Sequence, residues 1–321
     1  MRAIIHTAYG PPEVAKLMQV TKPIAKADEV LIKVYASTIN RTDCGFRSAQ
    51  YFISRFWSGL LRPKYQTLGC EFAGEIEEAG ENCSKFKKGD SIFGYNDERF
   101  GGHAEYVVIK ENDAITLIPQ NISYTDAAPI CEGAHYALSI INAAKVKPAQ
   151  QVMVYGATGA IGSAAVQLLK YFGATVVAVC NTKNISMVKS LGADIVIDYQ
   201  TQDVSKTSHR FDFIFDAVGK LSFGKCKKLL ISNGIYISTE LGKYGSNVFL
   251  SLVTPVFKGK KVMFPLPSMN KDTIELLSKL VAQGVYRPVI DRMYKLEDIV
   301  EAYKYVETGE KIGNVVLQVR E

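Results

Sequence analysis

After about residue 122 the chain settles into a rhythm that few folds accommodate: short apolar runs alternate with stretches of helical period. The runs are Gln151 to Tyr155, Thr175 to Val179, Ile195 to Tyr199, Phe211 to Val218, Gly234 to Ser238 and Lys261 to Phe264. Between them Ala165, Leu168, Leu169 and Phe172 recur at helical spacing with Gly173 as a stop, and Leu221 to Ile231 and Lys271 to Gln283 read the same way. Strands that are apolar along their whole length are buried on both faces. Their alternation with helices predicts an α/β fold with a doubly wound parallel sheet, because right-handed crossovers lay helices on each side. Such a sheet binds ligands beyond the carboxyl ends of its strands.

At the first of those ends stands Val152-Met153-Val154-Tyr155-Gly156-Ala157-Thr158-Gly159-Ala160-Ile161-Gly162. Ala157, Gly159 and Gly162 occupy the three small positions of a G-x-G-x-x-G fingerprint, between a predicted strand and a predicted helix. Gly159 lets a backbone approach a pyrophosphate and Gly162 lets the helix pack on the sheet. Ala157, Thr158, Gly159, Ala160, Ile161 and Gly162 together form the expected phosphate cradle at the helix start. A purely structural glycine turn is the alternative. About 20 residues further on, an acidic side chain would bind the ribose 2′-hydroxyl of NAD. Here the chain reads Asn181-Thr182-Lys183-Asn184, with no carboxylate. A 2′-phosphate paired with Lys183 and hydrogen-bonded by Asn181, Thr182 and Asn184 is expected instead, which makes the cofactor NADPH; a solvated surface lysine is the other reading of Lys183. Ala217, Val218 and Gly219 after the fourth strand, and Ile237 and Ser238 in the fifth, are expected beside the nicotinamide ribose.

The formal charge of +6 is unevenly spread, since Gly133 to Ala193 holds five lysines and no Asp or Glu. An anionic ligand explains that excess, as does chance in a mostly buried segment. No dense Lys/Arg run is present, so specific nucleic-acid binding is not expected. Nor is a membrane span, because no stretch approaches roughly 20 uninterrupted apolar residues, and the start turns polar too soon for a signal peptide. Six scattered cysteines without a C-x-x-C pair predict reduced thiols in a cytoplasmic protein. Before residue 122, Val30 to Tyr35, Phe72 to Glu77 and Ala104 to Ile109 read as strands between Gly- and Pro-marked turns, an antiparallel and barrel-like domain. Asn314 to Val319 is expected to return to it.

With these pieces together the chain resembles, from end to end, the medium-chain dehydrogenase/reductase superfamily, in its zinc-lacking quinone oxidoreductase-like branch. The matching segments are Val34 to Asp43, Gly69-Cys70-Glu71-Phe72-Ala73-Gly74, Phe86-Lys87-Lys88-Gly89-Asp90, Gly101 to Tyr106 and Leu191-Gly192-Ala193-Asp194. The resemblance implies a GroES-like β-barrel domain from residues 1–122 and 285–321, and a Rossmann dinucleotide domain from 123–284. It implies hydride transfer from NADPH to a quinone or an α,β-unsaturated carbonyl, where conjugation spreads the developing charge and demands less Lewis acid. Asn40 and Thr42 stand where the family contacts nicotinamide or substrate, although Asn40 also suits a local cap. Tyr199 resembles the tyrosine beside the adenosine phosphate, and an edge strand at Val262 to Phe264 suits the homodimer of the family.

Zinc-dependent relatives place a Cys at Asn40 and a His at Cys70, so two expected ligands are missing; Cys70, Glu71 and Cys131 are the irregular set that a zinc alcohol dehydrogenase reading requires. A non-catalytic NADPH-binding protein with a structural or RNA-binding role is the third reading, since some relatives serve that way. His135 reads as a packed helix residue in preference to a proton donor. Phe46 to Tyr65 mixes Tyr51, Phe52, Phe56, Trp57, Leu60 and Leu61 with Arg47, Arg55, Arg62 and Lys64, either a loop closing over a flat substrate or a core-packing insertion.

Overall fold

The computed structural model describes residues 1–50 and 55–321. Two compact units emerge: Met1–Glu132 with Met269–Gly284 and Pro288–Glu321, and Gly133–Ser268 with Val285–Arg287. In the second, the described residues form a six-stranded sheet in the order Ile195–Asp198, Thr175–Cys180, Gln151–Tyr155, Phe211–Asp216, Leu230–Ser238, Lys261–Met263. Every neighbouring pair is parallel. The order reverses at Gln151–Tyr155, the switch point at which such sheets open a ligand crevice. Burial explains the apolar runs: Val152, Met153, Val154, Val176 to Val179 and Phe213 to Phe215 are each no more than 1% exposed. The helix Ala160–Tyr171 buries Ala164, Ala165, Leu168 and Leu169 on that sheet, and Gly173 at φ +78 ends it.

One helical expectation fails. Within Leu221 to Ile231 only Phe223–Cys226 is α-helical, a tight turn takes Lys227 to Leu229, and Leu230 and Ile231 already belong to the fifth strand. Leu230 pairs with Phe211 ahead of a register shift, so strand pairing claims the backbone that the helical pattern needed. Cys226, Leu229 and Leu230 still share one apolar cluster with Phe211 and Tyr236, which is why their spacing looked helical.

The first unit is built on a mainly antiparallel sheet in the order Ile290–Lys295, Asn314–Gln318, Glu29–Ile39, Glu71–Ala79, Ser91–Tyr95, Ile115–Leu117, with Tyr106–Lys110 also paired to Glu29–Ile39. The chain end does return here, through Val315 opposite Ile39 and Leu317 opposite Ser37. Val30, Ile32, Val34, Phe72, Ile76, Ile92, Val315 and Leu317 fill its core. The helix Lys271–Ala282 sits in this unit, where Ser278 donates to the carbonyl of Leu117 at 3.3 Å.

Of the mixed segment Phe46 to Tyr65, Tyr51, Phe52 and the side chain of Trp57 lie outside the described residues. Arg47 is not a rim cation. It is fully buried, ion-paired with Glu307, bonded to the carbonyl of Gly10 at 2.5 Å and placed 4.8 Å from the Tyr303 ring centre. Cys83 is half-buried, the other five cysteines are buried, and all six are free thiols. Among the described residues no helix is long and apolar enough to cross a membrane.

Candidate functional site

The glycine turn is pinned from both sides. Gly156 sits at φ +83, in the region that favours glycine, and its N–H and that of Ala157 donate to the Val179 carbonyl at 3.2 and 3.1 Å. A Cβ on Gly162 would lie 2.1 Å from the Gly156 oxygen, so the helix start is in backbone contact with the turn. Gly159 caps that helix without a side-chain bond, and a Cβ added there would meet nothing nearer than the Gly156 oxygen at 3.9 Å. The first N–H groups of Ala160–Tyr171 thus lack intrahelical acceptors and form the positive end of its dipole.

At the carboxyl edge, Asp216 shapes the neighbouring loop. It accepts from Val218 N at 3.2 Å, Leu221 N at 2.9 Å and the Tyr236 hydroxyl at 3.1 Å. That folds Ala217, Val218 and Gly219 against the glycine turn: a Cβ on Gly156 would meet Val218 at 2.6 Å. Ile237 and Ser238 end the adjoining strand, with Ser238 3.4 Å from Asp216. A cavity of about 440 Å³ opens beside this edge, lined by Tyr155, Tyr199, Lys220 and Leu221 over a floor of Met153, Val204 and Leu229.

A carboxylate that local sequence reading missed stands at the end of the second strand. Asp198, closing the third strand, is paired in register with Cys180. It accepts from the Thr182 hydroxyl at 2.6 Å and from Gln200 N at 2.9 Å, and the Thr182 bond holds its carboxyl below the usual range. The Asn184 side-chain amide donates to Asn181 Oδ1 at 2.6 Å. Thr182 and Asn184 therefore spend donors inside the turn, while Lys183 is exposed and makes no ion pair among the described residues. The lysine-rich segment is also less positive than its sequence, because Lys170 pairs with Asp194 at 2.8 Å. Asp198 reaches this spot through strand pairing; its one sequence signal is an acid ending the third apolar run.

In the first unit Asn40 caps the helix Arg41–Ser48 in a reciprocal box with Asp43. Its amide also donates to Cys70 Sγ at 3.0 Å. Thr42 donates to Glu132 Oε1 at 2.6 Å, and Cys70 lies 3.9 Å from Glu132 Oε2. Asn40, Cys70, Glu71, Asp43 and Glu132 are buried, and Thr42 is the half-open member. Burial pushes the Asp43 carboxyl up to about 7 and that of Glu71 up to about 8, raises Glu132, and lowers Lys311 to about 8. Glu132 and Lys311 carried no motif and were not singled out from sequence. His135 is buried with its ring 4.6 Å from that of Tyr136.

The set Cys70, Glu71 and Cys131 does not fit a zinc ion. Glu71 Oε1 accepts from Cys131 N at 2.9 Å and Glu132 N at 2.6 Å, and Oε2 from Thr38 at 2.6 Å, so its oxygens are occupied. Burial keeps both thiols far above their ordinary pKa, against the thiolate that zinc requires. Among the described residues no three His, Cys, Asp or Glu are grouped to hold a metal.

Residues 26–120 match the alcohol dehydrogenase GroES-like domain, and residues 191–317 match the family described as zinc-binding dehydrogenase. The chain is 30% identical to 2-methylene-furan-3-one reductase of Solanum lycopersicum, over 99% of this chain and 79% of that protein. It is 27% identical, with the same coverage, to the NADPH-dependent alkenal/one oxidoreductase, chloroplastic, of Arabidopsis thaliana. The structure of the quinone oxidoreductase from Coxiella burnetii superposes with a TM-score of 0.88 at 28% identity, covering 100% of this chain and 99% of that one.

Proposed function

We propose a specific activity from one premise: the chain belongs to the medium-chain dehydrogenase/reductase superfamily, in its zinc-lacking, quinone oxidoreductase-like branch. The protein is an NADPH-dependent oxidoreductase that reduces a quinone or an α,β-unsaturated carbonyl without a catalytic metal. The observation that carries this reading is the cluster of Asn40, Thr42, Cys70 and Glu132, a hydrogen-bonded polar network whose groups engage one another where a Lewis acid would need them as ligands. Bound NADPH supplies the hydride. The helix start at Gly159 to Gly162 would hold its pyrophosphate on backbone N–H groups, and Tyr155, Tyr199 and Leu221 would face the adenine in a cavity also lined by Lys220 and Lys225. Asn40 and Thr42 orient the acceptor carbonyl. A panel of quinones, enones and aldehydes assayed for NADPH oxidation, with metal analysis of the same sample, tests the reading. Turnover of quinones or enones with little zinc is expected; near one zinc per chain with alcohol oxidation, or no turnover at all, would overturn it.

The preference for NADPH over NADH rests on Lys183, the uncompensated cation of its turn, and is opposed by the nearby Asp198. Lys183→Ala is expected to raise KM for NADPH about 10-fold, the equivalent of one charge-assisted contact, and to leave KM for NADH unchanged. Steady-state kinetics with both cofactors checks it, and a lower wild-type KM for NADH would sink the assignment.

The functional division is 1–122 with 285–321 as the catalytic domain and 123–284 as the dinucleotide domain, although residues 123–132 and the helix Lys271–Ala282 pack with the former. Free thiols suit a cytoplasmic, reducing setting, and the edge strand Lys261–Met263 suits a homodimer.

A further inference from the structure

We propose that Glu132 stores the proton that the reduction consumes and releases it through Thr42 to the hydride acceptor. The proposal rests on the reductase reading above. Hydride addition to the β-carbon of an enone moves an electron pair to the carbonyl oxygen, and that enolate must gain a proton. The Thr42 hydroxyl gives its proton to that oxygen, Thr42 Oγ takes one from the Glu132 carboxyl, and Glu132 is left as a carboxylate that solvent reprotonates before the next turnover. A quinone oxygen is served in the same way. The net consumption is one hydride from the cofactor and one proton from water.

The buried acids of the first unit differ in what they touch. Asp43 accepts from the backbone N–H groups of Asn40 and Gly69 at 3.2 and 3.0 Å. Glu71 accepts from two further backbone N–H groups and from Thr38, itself buried. Backbone amides pass on no proton, and the two other groups they meet, Thr38 on Glu71 and His103 at 3.9 Å from Asp43, are themselves buried and give no outlet, so these two acids are structural. Glu132 instead meets groups with exchangeable protons: the Thr42 hydroxyl at 2.6 Å, the Cys70 thiol at 3.9 Å and the Tyr95 phenol. The 2.6 Å contact serves in both directions, Thr42 donating to the carboxylate and the carboxylic acid donating to Thr42. Thr42 is half-exposed and so provides the outlet. Glu132 is also the first residue of the helix Glu132–Ala144, whose dipole favours the carboxylate once the proton has left.

The groups facing Glu132 account for its titration. Asp43 from the helix Arg41–Ser48, Glu71 at the start of the strand Glu71–Ala79 with Cys70 just before it, and Cys131 next to it surround it with acids and thiols, Tyr95 donates to it, and Lys311 is the cation that favours its ionised form. Burial dominates and holds the proton on. Thr42 is thus the catalytic donor, and Glu132, acting through it, a positioning residue that supplies the proton.

Glu132→Gln keeps the size and the hydrogen bond to Thr42 but releases no proton. It is expected to lower kcat about 100-fold, with KM for enone and NADPH changed less than about 3-fold. Wild-type kcat should fall as pH rises through the Glu132 titration. That alkaline limb should vanish in Glu132→Gln and return, with part of the rate, in Glu132→Asp. Thr42→Val should abolish the limb and Thr42→Ser keep it, which preserves the test if Glu132→Gln fails to fold. An active wild type whose rate and limb survive both Glu132→Gln and Thr42→Val overturns the proton route alone. A wild type inert toward the whole panel overturns the reductase reading, and this proposal with it.

Discussion

Gly162→Ala is expected to cost both stability and cofactor affinity, whereas Gly159→Ala costs affinity alone. A methyl on Gly162 would lie 2.1 Å from the Gly156 oxygen, 2.8 Å from its carbonyl carbon and 2.9 Å from the Ala157 Cα. All three are backbone atoms, so no side chain can rotate away. The turn itself is held by two hydrogen bonds to the Val179 carbonyl and by Val218 packed against Gly156, which forces the helix start to lift instead. Overpacking of this kind costs about 1–3 kcal/mol, and displaced N–H groups should weaken NADPH binding about 100-fold. Gly159 differs in that its φ of −72 suits alanine and an added Cβ would lie 3.9 Å from the Gly156 oxygen, an ordinary contact. There the methyl fills the space a phosphate approaches: Tm should stay close to wild type while Kd rises about 10-fold or more. Thermal melts and fluorescence titration with NADPH separate the two variants. A Gly162→Ala protein with wild-type Tm would refute the close helix contact, and a Gly159→Ala protein with wild-type Kd would refute the phosphate site.

That contrast between two glycines was legible in the sequence because the motif lies within one strand–turn–helix unit, where neighbours in space are neighbours in the chain. The sheet was legible for a similar reason: strands such as Val176 to Val179 are buried on both faces and can afford no polar residue. What depended on pairing between distant segments was not. Asp198 reaches the second strand only through the parallel register with Cys180, so residues 179–193 carry no sign of an acid there. Leu230 is drawn into a strand by Phe211, nearly twenty positions earlier, against its own local helical pattern. Glu132 has no spacing motif at all; Thr42 meets it from 90 positions away. Local periodicity encodes which face is buried, but a polar network is assembled by topology.

Between pH 6.5 and 8 the folded protein is expected to lose about 2 kcal/mol of stability, and Glu71→Gln to lose much less. The sign follows from where the proton sits. Burial raises Glu71 from the ordinary value of 4.5 to about 8, so across this window the folded chain keeps a proton that the unfolded chain has released. Stability therefore falls as pH rises, by about 1.4 kcal/mol per pH unit for each such group, until pH passes about 8. Asp43, raised to about 7, adds to the slope only in its lower part, and Glu132, raised by the same burial, acts in the same sense in both proteins. Below 6.5 the trend is masked, because His103, lowered to about 4 by burial, binds a proton only on unfolding and works in the opposite sense. Above 8 the depressed Lys311 and the raised buried thiols pull against each other. Glutamine at position 71 reproduces the protonated acid: its carbonyl oxygen accepts from Cys131 N and Glu132 N, and its amide donates to Thr38. The variant should match wild type near pH 6.5 and exceed it at pH 8. Urea melts at half-unit intervals measure the difference, and parallel slopes for the two proteins would show that Glu71 is ionised in the fold after all.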